Sequence, residues 1–281
     1  MRHQKPKLGQ HFLINEAVVE RIIEAARLSK QATVVEIGPG TGVLTRALNA
    51  AVPDGLVLGI EFDHDLVEYL REHVSKRVKI IHRDALLYDY AEVARPYHVV
   101  SNLPYQITSP ILHRLIGSAN PPATMTLMMQ REVADRLLAP PKTRERGLLT
   151  IVAEWYGSVE HCFDVGPEAF DPPPKVWSSV VRLQNSEFGG QNSGLGSRKP
   201  PFQPFLAFLK LGFSQKRRQI HHPLGSAFPM LKAELDQILV AVGVERTQRA
   251  EELSFEQWVK LYEQVRERLA LSHNTGGGHS R

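Results

Sequence analysis

VVEIGPGTGVLT, residues 34–45, runs from four strand-forming residues into Gly38, Gly40 and Gly42 and then into a helical pattern. Glycines there let the backbone come close to a ligand at the carboxyl end of a first strand. A dinucleotide fingerprint would read G-x-G-x-x-G, but position 43 is Val, so the pattern is G-x-G-x-G. That spacing argues against a nicotinamide dinucleotide. Taken alone, the stretch could equally be a glycine-rich turn that holds nothing.

Outward from this loop, short β-rich runs alternate with helical patterns: TVVEI (33–37), LVLGIE (56–61), VKIIH (78–82), HVVSN (98–102) and TMTLMMQ (124–130). Such alternation predicts an α/β fold with a mostly parallel, doubly wound sheet. Before it, EAVVERIIEAARL places Val18, Val19, Ile22, Ile23 and Ala26 on one helical stripe, with Asn15 available as N-cap. GLLTIVAEWYG reads as another helix. The runs VEHCFDV (159–165) and SSVVRL (178–183), joined by the rigid segment PEAFDPPPKVW, are too close for a parallel crossover, so an antiparallel pair is expected at the sheet edge.

Residues 186–201 are rich in Gly, Ser and Pro and read as a linker. Beyond them, FQPFLAFLKLGF, FPMLKAELDQILVAVG and SFEQWVKLYEQVRERLAL carry helical spacing. The expected division is therefore a sheet domain over 1–185, a linker over 186–201, a small all-α domain over 202–271, and a disordered tail over 272–281.

The 281 residues, 42% hydrophobic and 23% charged, suffice for one large domain and a smaller one. The formal charge of +4 fits a polyanionic partner without demanding one. A single cysteine, Cys162, rules out an internal disulfide and points to a reducing, cytoplasmic setting. No paired Cys or Cys/His spacing suggests a metal. The apolar run near the start is too short for a signal peptide, and none approaches the roughly 20 residues of a membrane helix.

Two acids give the glycine loop a context. Glu61 and Asp84 each follow a predicted strand, and in an open α/β sheet those strand ends border one crevice. A carboxylate at Glu61 can accept both hydroxyls of a ribose, and one at Asp84 a proton of an adenine amine. Either acid could instead be a solvated charge or a helix cap. In SNLPYQITSP, Asn102, Leu103, Pro104 and Tyr105 follow the fourth predicted strand. An Asn side-chain oxygen and the Pro104 carbonyl can accept hydrogen bonds from an exocyclic amine, steering its lone pair, while Tyr105 offers a ring face to an unstacked base. Outside this context the same four residues would make an ordinary Asn–Pro turn.

With these motifs in place the chain resembles the bacterial small-subunit (16S) ribosomal RNA adenine N6,N6-dimethyltransferases over nearly its whole length. The resemblance rests on LGQHFL (8–13), EIGPGTGVLT (36–45), EFD (61–63), RDAL (83–86), NLPYQITSP (102–110), MMQREVADRL (128–137) and PEAFDPPPKVWSSVVRL (167–183). It implies a Rossmann-like class I methyltransferase domain, with His11, Leu13, Gly38, Gly40, Glu61, Asp84 and Asn102 at an S-adenosylmethionine site and no metal. The family often has Asn where this chain has His11, which can still donate a hydrogen bond.

The resemblance also implies the target, two adjacent adenosines in a hairpin loop near the 3′ end of small-subunit rRNA within an immature 30S particle, acted on by a monomer. Lys5, Lys7, Lys210, Lys216, Arg217 and Arg218 would track phosphates. The related large-subunit rRNA adenine methylases share the glycine loop and an Asn-x-Pro-Tyr motif; Pro39, Leu103 and DPPPKVWSSVVRL lie closer to the small-subunit pattern. A ribosome-assembly factor whose methylation is secondary is the other alternative.

Overall fold

The computed structural model describes residues 11–188, 199–215 and 217–275. They form two compact units, one built from the chain up to Leu138 together with the segment from Tyr156, the other from Ala139–Trp155 and the C-terminal region.

The first unit holds a seven-stranded sheet. Its strands are β2 (Thr33–Ile37), β3 (Leu56–Glu61), β4 (Lys79–His82), β5 (Tyr97–Asn102), β6 (Thr124–Gln130), β7 (Gly157–Val165) and β9 (Ser178–Asn185), in the order β4-β3-β2-β5-β6-β9-β7. The first five in that order run parallel; β9 is antiparallel to β6, and β7 to β9. The expected antiparallel edge is present. The chain leaves β2 toward β3 on one side, while β5 fills the other. This reversal makes the carboxyl end of β2 the topological switch point, where a crevice opens in such sheets. The glycine loop sits there.

Local chemistry explains the elements. Asn15 accepts the Val18 N–H at 3.1 Å and starts α1 (Glu16–Ala26), whose Val19, Ile22 and Ala26 pack on Val34, Leu48, Val100 and Met128. β2, β3 and β6 are buried on both faces, which is why they read as continuous apolar runs rather than alternating ones. A second ladder of two residues per strand pairs β1 (Phe12–Leu13) with β8 (Phe170–Asp171). It joins the start of the described chain to the proline-rich segment.

The second unit is helical, as expected, but its boundaries differ from the linear division. Helix α6 (Leu148–Tyr156) lies almost wholly in the segment that belongs here: Ile151 is in the same buried cluster as Phe205, Leu209, Trp258 and Tyr262. Arg146 holds the segment, with both amino groups on Glu154 at 2.8 Å and its Nε–H on the Leu253 carbonyl at 3.2 Å. The domain division at 185/202 is corrected accordingly. In α7 (Phe202–Gly212), a side chain at Gly212 would meet the Trp258 ring at 2.4 Å, so only glycine lets α7 close on α10 (Phe255–Thr275).

The single helix expected over 228–243 is broken. Pro229 opens a short 3-10 turn and the regular helix α9 starts at Leu235. HHPLGSA, with no strong apolar period, forms α8 (His221–Ala227). No described helix is long and apolar enough to cross a membrane. The expected linker lies largely outside the described residues, and of the tail expected over 272–281 the residues up to Thr275 instead continue α10, the rest lying outside.

Candidate active site

A cavity of about 540 Å³ opens at the switch point, within the usual size range of small-molecule sites. It is lined by the end of β2 with its loop, the residues after β3 and β4, Asn102 to Ile107 beyond β5, and His11 to Leu13. Every residue expected at a cofactor or catalytic position therefore borders one space: His11, Leu13, Gly38, Gly40, Glu61, Asp84, Asn102, Leu103, Pro104 and Tyr105.

Gly38 and Gly40 have φ of 66° and 57°, a region that costs other L-residues strain. They also leave room. A Cβ on Gly38 would come within 3.2 Å of the Pro104 ring, and one on Gly40 within 3.0 Å of the Phe12 ring. The loop thus meets the Asn-Leu-Pro-Tyr turn at its first glycine and the N-terminal arm at its second.

Glu61 is 6% exposed and fixed by backbone. Its Oε1 accepts the N–H groups of Phe62 and Asp63 at 2.8 and 2.9 Å, and its Oε2 accepts that of Gly40 at 3.2 Å. Three donors orient the carboxylate and tie the β3 end to the glycine loop. Asp84 Oδ1 accepts the Leu86 N–H at 2.8 Å, and the residue lines the cavity with a second carboxylate oxygen as a further acceptor.

Glu36, which the motif reading passed over as a strand residue, is also in the lining. It is 2% exposed and its Oε2 has no hydrogen-bond partner. Burial pushes its pKa up to about 8; the Glu61 charge adds to the push, while Thr45 and Arg46 oppose it. With its proton kept, the unpartnered oxygen is a carboxylic-acid O–H or carbonyl without a partner, which is costly in a buried site and would be relieved by a polar ligand group. The signal in the sequence was a lone acid inside an apolar strand.

The opposite wall is built by Asn102–Tyr105. The Leu103 N–H bonds the Met128 carbonyl at 3.0 Å, carrying the β5–β6 ladder one residue past Asn102, and the Leu103 side chain is buried. The Pro104 carbonyl accepts the Ile107 N–H at 3.1 Å and the Thr108 hydroxyl at 3.3 Å. Its two lone pairs are spent inside the chain, so the expectation that it receives a substrate amine is corrected.

Tyr105 is held from outside the motif. Its hydroxyl lies 2.8 Å from the Ser178 Oγ, and burial raises its pKa above the usual phenol value. The His11 ring stands 5.9 Å from the Tyr105 ring, and His11 Nδ1 lies 2.6 Å from the Pro172 carbonyl. Ser178 and the β1–β8 ladder are the parts that motif spacing missed. Of the six expected phosphate-tracking cations, Lys210, Arg217 and Arg218 are exposed on the helical unit; Lys5, Lys7 and Lys216 lie outside the described residues. Among the described residues no group of His, Cys, Asp and Glu is arranged to hold a metal ion.

A parallel sheet with a positive-φ glycine loop at its switch point, acids on the next two strand ends and an Asn-Leu-Pro-Tyr turn on the fourth defines a class I, S-adenosylmethionine-dependent methyltransferase. The chain belongs to the ribosomal RNA adenine dimethylase family, whose model matches residues 1–267.

It is 37% identical to a Ribosomal RNA small subunit methyltransferase A of Desulfitobacterium hafniense, over 93% of this chain and 92% of that protein. It is 33% identical to a protein of the same name from Natranaerobius thermophilus, over 96% and 94%. Among solved structures, a dimethyladenosine transferase from Plasmodium falciparum is similar, with TM-score 0.72 and 25% identity over 92% of this chain and 98% of that one. The 23S rRNA methyltransferase ErmE is similar with TM-score 0.65 and 26% identity over 91% and 99%.

The residues present fit the cofactor. The glycine turns make a cradle that side chains would fill, Glu61 is an oriented carboxylate able to accept ribose hydroxyls, and the buried Glu36 oxygen lacks a polar partner.

Proposed function

We propose that the chain dimethylates N6 of two adjacent adenosines in the hairpin loop near the 3′ end of small-subunit rRNA. Asn102 carries the reading: it stands at the end of β5, on the wall facing the glycine loop of one shared cavity. Gly38, Gly40, Glu61 and Asp84, with His11 and Leu13 from the arm, hold S-adenosylmethionine. When bound it supplies a methyl group on a positively charged sulfur.

The chain's own work is positioning. Adenine N6 is a poor nucleophile because its lone pair is drawn into the ring. The Asn102 side-chain oxygen accepts one amine proton. The Leu103 carbonyl, adjacent and anchored through its own N–H, accepts the other in place of Pro104. With both protons held, the nitrogen is drawn toward a pyramidal geometry and its lone pair is withdrawn from the ring's π system. After the first methylation the amine keeps one N–H, and one of the two acceptors suffices to present it again. Asn102 cannot take up a proton, so the surplus proton leaves to water.

Tyr105, tethered by Ser178, offers a fixed face to the unstacked base. Lys210, Arg217 and Arg218, with Lys5, Lys7 and Lys216, track phosphates of the RNA. The partner is small-subunit rRNA in an immature 30S particle, met in the cytoplasm by a monomer. The relatives named Ribosomal RNA small subunit methyltransferase A, and the TM-score of 0.72 to the dimethyladenosine transferase against 0.65 to ErmE, support this target over the large subunit.

The test is to incubate the protein with tritiated S-adenosylmethionine and immature 30S particles and map the label by mass. Dimethyladenosine at two adjacent positions of the 3′ hairpin is expected. Label at other nucleotides of the particle, label only in large-subunit particles incubated in parallel, or binding without label refutes the reading.

A further inference from the structure

Burying an indole is among the larger apolar gains open to a chain, yet Trp177 is 51% exposed and Val176 beside it 42%. Their place in the fold is specific. Ser178 opens β9 opposite Gln130, the last residue of β6, so Trp177 stands at the carboxyl end of the parallel strands, the end where the cavity opens. The Trp177 carbonyl accepts the Arg131 N–H at 2.9 Å, which fixes the backbone on that edge. The next residue holds the Tyr105 hydroxyl.

Cations flank the indole. Lys175 is exposed, and the Arg131 side chain is 55% exposed, with one amino group 3.6 Å from Asp164. An exposed indole two residues from Lys175, with Arg131 bonded to its own carbonyl and beside the serine that holds Tyr105, suits a nucleobase attached to a phosphate.

We propose that Trp177 is the stacking platform for the nucleotide next to the target adenine, with Lys175 and Arg131 beside its phosphate. This rests on the reading of the cavity as an RNA adenine site. A base drawn into the cavity leaves its neighbour without a stacking partner. The indole restores that partner, and because every base has a π-face it serves either of two adjacent adenosines while the other is in the cavity. Trp177 is thus a positioning residue for the pair.

Two measurements decide it. With immature 30S particles, Trp177→Ala is expected to raise KM about tenfold or more with the S-adenosylmethionine Kd unchanged, and Trp177→Phe to restore most of the loss. Separately, hexa-adenylate titrated into the protein, with excitation at the indole band, is expected to quench emission in the native chain and leave Trp177→Phe, which retains Trp155 and Trp258, unquenched. An unchanged KM in Trp177→Ala, no quenching of the native chain, or equal quenching in Trp177→Phe overturns the proposal. If the native chain transfers no label to the particles, the reading of the cavity fails instead, and the quenching titration, which needs no transfer, still decides the stack.

Discussion

The two walls of the cavity are held in place by different means. On the glycine-loop wall, the groups that matter are fixed by neighbours in sequence or by one adjacent strand: Glu61 by Phe62, Asp63 and Gly40, and Asp84 by Leu86. On the Asn-Leu-Pro-Tyr wall, Tyr105 is held by Ser178 and faces His11, itself held by Pro172. One wall is a product of local turns. The other exists only once distant segments have met, so a substitution far along the chain can loosen it while the glycine loop and its two acids stay as they are.

The contrast can be broken first at Asn102. Asn102→Ala is expected to lower kcat about 10²–10³-fold, the usual cost of losing one oriented polar group at a reacting centre, with the far-UV circular dichroism unchanged. A rate within threefold of the native one would remove Asn102 from the mechanism.

Glu36 tests the local wall through pH. Its folded pKa of about 8 lies above the ordinary value of 4.5, so between these pH values the folded chain keeps a proton that the unfolded chain has released. Stability therefore falls as pH rises through this window and levels off above about pH 8, with a slope of at most about 1.4 kcal/mol per pH unit from this group. Denaturant titrations at several pH values should show Glu36→Gln losing that part of the slope.

Gly40→Ala probes the same wall sterically. The φ of 57° and the 3.0 Å approach to Phe12 predict a loss of about 1–2 kcal/mol in stability. Calorimetric titration should show weaker S-adenosylmethionine binding as well.

The smallest effect is expected on the distant wall. Ser178→Ala and Tyr105→Phe each remove one hydrogen bond, worth about 0.5–1.5 kcal/mol. Each should raise KM for the RNA while leaving cofactor affinity alone. The double variant should cost no more than the larger single, and full additivity would show that the two hydroxyls act separately.

The same division explains what could be read before the structure. β2, β3 and β6 match their expected bounds to the residue, because an apolar run closed by a glycine or a charged residue is a local signal. Gly38, Gly40, Glu61 and Asp84 were legible for the same reason: a strand end followed by a turn states its own place. The β1–β8 ladder was not, since two residues per strand leave no periodicity and their partners lie more than 150 positions apart. The role of Ser178 was hidden likewise, as a serine at a strand start says nothing of a phenol on another turn.

The Pro104 carbonyl was not legible either, because the motif does not say where this oxygen points; only the following turn decides it. Helix α6 was recognised, but its allegiance to the helical unit was not, because Ile151 and Arg146 meet partners contributed from beyond residue 200.

The pairing of Phe12 and Leu13 with Asp171 and Phe170 has a consequence for anyone recombining members of this family. The stretch that lines the cavity from the start of the described chain and the stretch that carries Ser178 are stitched together, so they form a single heritable module split across the gene. A chimaera that takes its first segment from one parent and the region around residue 170 from another would inherit a mismatched seam, and its defect would surface in both substrates at once.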